Sequence, residues 1–224
     1  MSVNTMPAAS VQNPAHTPSF DPLAGGCTIA AGAINFLYAV AFVIIARSNP
    51  HLGSLLSALC LLLSGLLVTT TVTALYQRLR TVDATLALWA LPLGLAGALG
   101  AAIHGGYDLG NAINPPAIGS ELTANLASLP SQIDPRGLTT FGIMGLALFV
   151  FTWLMNRHSG FPKGLVYLGY VFAALFVMLY LARLIVFNPA NPLLLVPVLV
   201  TGFVVNPIWH IWLGLTLRRG VSQI

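Results

Sequence analysis

The chain has 224 residues and a formal net charge of +4, with 57% hydrophobic and only 6% charged residues. An ordinary soluble domain carries about a quarter charged residues, so most of this surface cannot face water, and the chain reads as an integral membrane protein. At roughly 20 residues per span the length holds one helical bundle with little room for a separate soluble domain, and basic residues scattered at helix ends exclude a nucleic-acid footprint.

Residues 1–26 are rich in Pro, Asn, Ser, Thr, Gln and Gly and hold no Lys or Arg. They predict a flexible tail without a cleaved signal, because nothing basic precedes the first apolar run. The first span then serves as its own insertion signal.

Apolar runs predict an all-α, polytopic bundle with six spans at about 27–46, 52–75, 85–107, 137–155, 164–187 and 193–216. Asn49-Pro50 and Asn188-Pro189 mark tight turns, since proline cannot continue the preceding helix. Cys27 and Cys60 fall at different depths of neighbouring spans, which disfavours a disulfide. The first and fifth spans both close on Ala-Arg and an Asn-Pro turn, but the unequal spacing argues against a duplication.

Arg78, Arg80, Arg157, Lys163, Arg218 and Arg219 fall on one side of a six-span chain, against Arg47 and Arg136 in the loops of the other. By the positive-inside rule both termini are expected in the cytoplasm. The connection at 108–136 is then external. Within it Ser120 to Pro130 places Leu122, Leu126 and Leu129 on one face of a short helix expected to lie on the membrane surface.

Near the end of the third span His104 and Asp108 stand four apart on one helical face, with Tyr107 beside them and Gly105-Gly106 permitting close approach. Arg183 lies within roughly 8 Å of the same end of the fifth span at 1.5 Å per residue. These four form the candidate polar site; His51, Asn35, Asn206 and His210 are weaker candidates. The preferred reading of Asp108 and Arg183 is structural: the aspartate marks a helix end in headgroup water and the arginine snorkels to the same interface. Zinc held by two histidines and a carboxylate is disfavoured, because the ligands would come from one helix and one turn. His104 and His210 fall at opposite ends of their spans and should not share a haem. No metal or cofactor is expected, and no nucleotide, hydrolase or metalloprotease motif is present.

Gly160-Phe161-Pro162-Lys163-Gly164-Leu165, together with Asn206-Pro207-Ile208-Trp209-His210-Ile211-Trp212-Leu213-Gly214 and the closing Arg218-Arg219, resembles segments of uncharacterised bacterial six-helix integral membrane proteins. The resemblance implies a bacterial cell membrane and carries no activity to transfer. Read physically, Trp209 and Trp212 with the two arginines predict an interfacial anchor for the last helix, leaving His210 partly wet near that interface. Asn206, beside the helix-interrupting Pro207, is expected to satisfy local polarity or cross-link helices.

The expected partners are the lipid bilayer and other membrane subunits, with no nucleic acid. A non-enzymatic scaffold or interaction subunit leads the functional readings. A small-solute or proton-coupled carrier with an outward-facing polar site follows, and a membrane-embedded hydrolase comes third. A carrier requires connected polar groups through the middle of the bundle, for which only Asn35 and Asn206 offer themselves.

Overall fold

The computed structural model describes residues 20–114, 133–134, 136–186 and 191–219. The protein is an all-α bundle in which six helices are long and apolar enough to cross a membrane: α1 (Phe20–Ser48), α2 (Pro50–Leu79), α3 (Ala84–Ile113), α4 (Leu138–Arg157), α5 (Lys163–Ile185) and α6 (Pro192–Arg219). Three of them contain a wider π-helical turn, at Val40–Ile45 in α1, Leu138–Ile143 in α4 and Thr201–Val205 in α6. The turn in α6 immediately precedes Asn206 and Pro207, whose ring nitrogen cannot donate to the preceding turn.

Local chemistry sets the helix starts. Asn49 accepts from the Leu52 backbone N–H at 3.1 Å while Pro50 occupies the first turn, so one Asn-Pro pair both stops α1 and starts α2. Asp83 caps α3 through the Leu86 N–H at 3.0 Å, and Asn191 caps α6 through the Leu193 N–H at 3.0 Å. Asp134 does the same for α4 with both carboxylate oxygens, accepting from the N–H groups of Thr139 at 3.1 Å and Thr140 at 2.9 Å.

Two expected boundaries move. Residues 20–26, read as the end of the tail, form the first turns of α1, with Asp21 at the favourable N-terminal end of the helix dipole. α3 runs on to Ile113, so Asp108 sits inside a helix and not at its end. The remainder of the expected tail and the expected surface helix at 120–130 lie outside the described residues.

Each helix packs on the next, and α6 returns to α1, closing a six-membered ring in chain order. Small residues let the backbones meet. Gly25 and Gly214 face each other across α1 and α6, while Gly65 lies against Ala98 and Ala102, and Gly105 against Ala58 and Leu62, at the α2–α3 seam. Between membrane helices, where lipid is as apolar as leucine, such close contact is a principal source of association.

The ring interior differs along its axis. Trp209, Phe151, Phe172, Leu75, Met155 and Leu213 are fully buried in the half nearer Phe20 and Arg219, called here the termini end. Trp209 is only 1% exposed, which corrects the expectation that it anchors the interface; Trp212, at 36%, is the exposed member of the pair. Buried polar side chains occur in both halves, with Asn35 and Ser64 near the middle.

Candidate functional site

A hydrogen-bonded node lies at mid-depth. Asn35 on α1 donates to Asn206 Oδ1 on α6 at 3.0 Å and accepts from Ser64 Oγ on α2 at 2.5 Å. His210 Nδ1 sits 3.0 Å from the Asn206 carbonyl, so Nδ1 carries the proton and donates. The ring is 4% exposed and packed edge-on by Phe172 and Trp209, which corrects the expected wet interfacial histidine. Towards the termini the same inner face of α1 presents Thr28, bonded to Thr71 on α2 at 2.8 Å, and then Asp21. Asp21 pairs with Arg78 at 2.9 Å, and Arg78 also donates to the Leu217 carbonyl at 2.7 Å, tying α1, α2 and α6 together.

One helical turn beyond Asn35, Tyr38 stands within electrostatic reach of both Asp108 and Arg183. These residues come from α1, α3 and α5, which alternate around the ring. All three lie on the side of the Asn35–Asn206 node away from the termini. Tyr38 was not among the sequence candidates.

The walls are organised separately. His104 Nε2 lies 3.1 Å from Asp108 Oδ2 on α3, with side-chain exposures of 13% and 38%. With the carboxylate ionised, Nε2 donates and the neutral ring leaves Nδ1 as an acceptor; that atom is buried and without a hydrogen-bond partner among the described residues. Gly97 and Gly100 pack on Met144 and Thr139 of α4, and His104 and Asp108 continue that stripe at helical spacing. Tyr107 is half-buried and engaged beside them.

Arg183 lies 5.4 Å over the Phe141 ring, near the start of α4, with Asp134 also in electrostatic range. Its carbonyl accepts from Arg136 at 3.1 Å. Burial works against the Asp134 charge, but the donors of Thr140 and Thr139 outweigh it and hold the carboxyl below its ordinary value. Asp108 and Arg183 form no ion pair among the described residues. α3 and α5 are separated by α4, and each charge has a nearer partner. His51 stands exposed in the first turn of α2. Among the described residues no three His, Cys, Asp or Glu side chains gather as a metal site would require.

The sequence did contain one signal for what was missed. Asp21, Thr28 and Asn35 recur every seven residues in an otherwise apolar run, which at 3.6 residues per turn puts them on one face, with Tyr38 a turn further on. No protein-family model matches the chain, and comparison with curated proteins and with solved structures likewise found no match.

Proposed function

We propose that this multi-pass membrane protein binds a small polar solute carrying an anionic group, and that it belongs to the carrier class. The observation that carries the reading is that Tyr38 on α1 lies in electrostatic range of both Asp108 on α3 and Arg183 on α5. A guanidinium takes the anionic group of the solute, the phenol adds a hydrogen bond, and the His104–Asp108 pair accepts from its donor groups. From the Asn35–Asn206 node towards the termini the interior is packed with large apolar side chains. A polar site closed on one side by packed apolar side chains fits one state of an alternating-access carrier.

The basic residues Arg78, Arg80, Arg157, Lys163, Arg218 and Arg219 gather at the termini end, which supports cytoplasmic termini and places Tyr38, Asp108 and Arg183 towards the outer side of the cell membrane. A fluorescent protein fused after Ile224 should then glow, and a periplasmic phosphatase at the same point stay inactive. The interaction-subunit reading keeps one observation in its favour: the Gly25–Gly214 and Gly65–Ala102 seams are built for static close packing.

The binding reading is tested by thermal-shift screening of purified protein against small carboxylates, inorganic phosphate and amino acids. A true ligand at about a hundred times its Kd stabilises by about 2.7 kcal/mol. Arg183→Gln and Tyr38→Phe should abolish that shift, and uptake of the same compound into proteoliposomes should fail with them. A shift that survives Arg183→Gln, or no shift from any compound, sinks the reading.

A further inference from the structure

We infer that Thr152 on α4 and Trp209 on α6 hold one buried water molecule between them, in the space that Gly169 of α5 leaves by having no side chain. Thr152 is 0% exposed and Trp209 1% exposed. Thr152 Oγ1 and Trp209 Nε1 are nevertheless without a hydrogen-bond partner among the described residues. A buried indole N–H normally finds an acceptor, and a helical threonine commonly bonds back to a carbonyl of the preceding turn, as Thr28 and Thr73 do here. Two such orphans on facing helices call for a partner that they share.

Gly169 marks where that partner sits. A Cβ built on it would stand 2.7 Å from Thr152 Oγ1 and 2.9 Å from Trp209 Nε1, so both polar atoms border the same small space. They are therefore no more than about 5.6 Å apart, a span that one oxygen bridges with two hydrogen bonds of about 2.8 Å. An indole N–H only donates, whereas a hydroxyl both donates and accepts. The water accepts from Trp209 Nε1 and donates to Thr152 Oγ1, which satisfies both orphans and gives it the two protein partners that a buried water needs. Alanine at 169 would instead put a methyl carbon, which cannot bond, at that distance from both atoms. The site joins α4, α5 and α6 in the apolar half of the ring, and it stands whether or not Tyr38, Asp108 and Arg183 bind a solute.

A crystal structure of the full chain, resolved finely enough to show ordered water, tests the assignment. Wild type should hold one water within hydrogen-bonding distance of both Trp209 Nε1 and Thr152 Oγ1. Thr152→Val, which keeps the shape and removes the hydroxyl, should lose it, and Thr152→Ser should keep it. In detergent, Thr152→Val should lower the melting temperature by about 2–4 °C. In a Trp209→Phe background it should cost clearly less, because the indole that it strands is already gone. Gly169→Ala should also expel the water, and if that variant fails to fold the two Thr152 variants still read the site. A direct Trp209–Thr152 hydrogen bond, a Thr152 hydroxyl turned back onto its own helix, a water that persists in Thr152→Val, or equal costs of Thr152→Val in the two backgrounds would overturn the proposal.

Discussion

Asn35 on α1 holds Asn206 on α6 through a 3.0 Å amide hydrogen bond while accepting from Ser64 on α2, so one side chain joins three helices at mid-depth. An amide inside a membrane helix is tolerated because its polar atoms find protein partners. Asn35→Leu should lower the stability of the bundle in detergent by about 1–2 kcal/mol, since it strands a hydroxyl and an amide as well as losing two bonds. In a double-mutant cycle Asn206→Leu should cost clearly less when Asn35 is already gone. Additive costs would mean the two amides are solvated separately.

Arg78 makes two bonds where Asp21 makes one: to the Asp21 carboxylate and to the Leu217 carbonyl near the end of α6. Both charged side chains are largely buried, at 15% and 24% exposed. Arg78→Gln should therefore destabilise by about 1–3 kcal/mol, and Asp21→Asn by less, because the helix carbonyl keeps its donor. Urea titration of the detergent-solubilised protein ranks them; equal losses would assign the whole effect to the ion pair.

Span number and order were legible because twenty apolar residues have few other destinations, and the Asn49-Pro50 turn was legible because cap and breaker are adjacent. Ring closure was not, since which apolar faces meet depends on glycine positions such as Gly25 and Gly214 on distant helices. Asn35 and Asn206 were picked out by being polar in apolar runs, and the structure brings them together. His210 was placed too shallow: nine residues before Arg219, it lies about 14 Å along the helix, towards the middle of the span. Tyr38 escaped notice because an aromatic residue in an apolar run looks no different from one facing lipid. Asp108 was expected at a helix end, but α3 runs on to Ile113, and the intervention of α4 between α3 and α5 is a property of the ring and not of either run.

His158 closes the turn between α4 and α5 by accepting the Gly160 N–H on Nδ1 at 2.9 Å. Burial, reinforced by the charge of Arg78, holds its pKa below the ordinary 6.5. Protonation removes the acceptor, so the turn's contribution is fully present above about pH 6.5 and is lost as pH falls through the lower folded value. His158→Asn, whose side chain can accept the same N–H without titrating, should lack this component. Melting temperatures across pH 4 to 8 decide it: parallel curves for wild type and variant would show that the histidine proton is not coupled to folding.

Asp108 is bonded to His104 and not to Arg183, and the two relationships predict opposite mutational arithmetic. His104 and Asp108 are neighbours at i and i+4 with a 3.1 Å contact, so His104→Ala and Asp108→Asn should couple by about 0.5 kcal/mol. Asp108→Asn and Arg183→Gln remove groups on walls separated by α4, and their stability costs should add to within about 0.5 kcal/mol. Ligand binding should obey a different rule. If Arg183 takes the anionic group of a solute while His104–Asp108 takes its donors, each single change should abolish most of the ligand-induced shift, and the double change should add little. Additive stability with non-additive binding is the signature of residues that meet through a shared solute. Coupling of Asp108 to Arg183 in the ligand-free protein would instead mean that the two charges already neutralise one another, which would leave Arg183 poorly placed to recognise an anion.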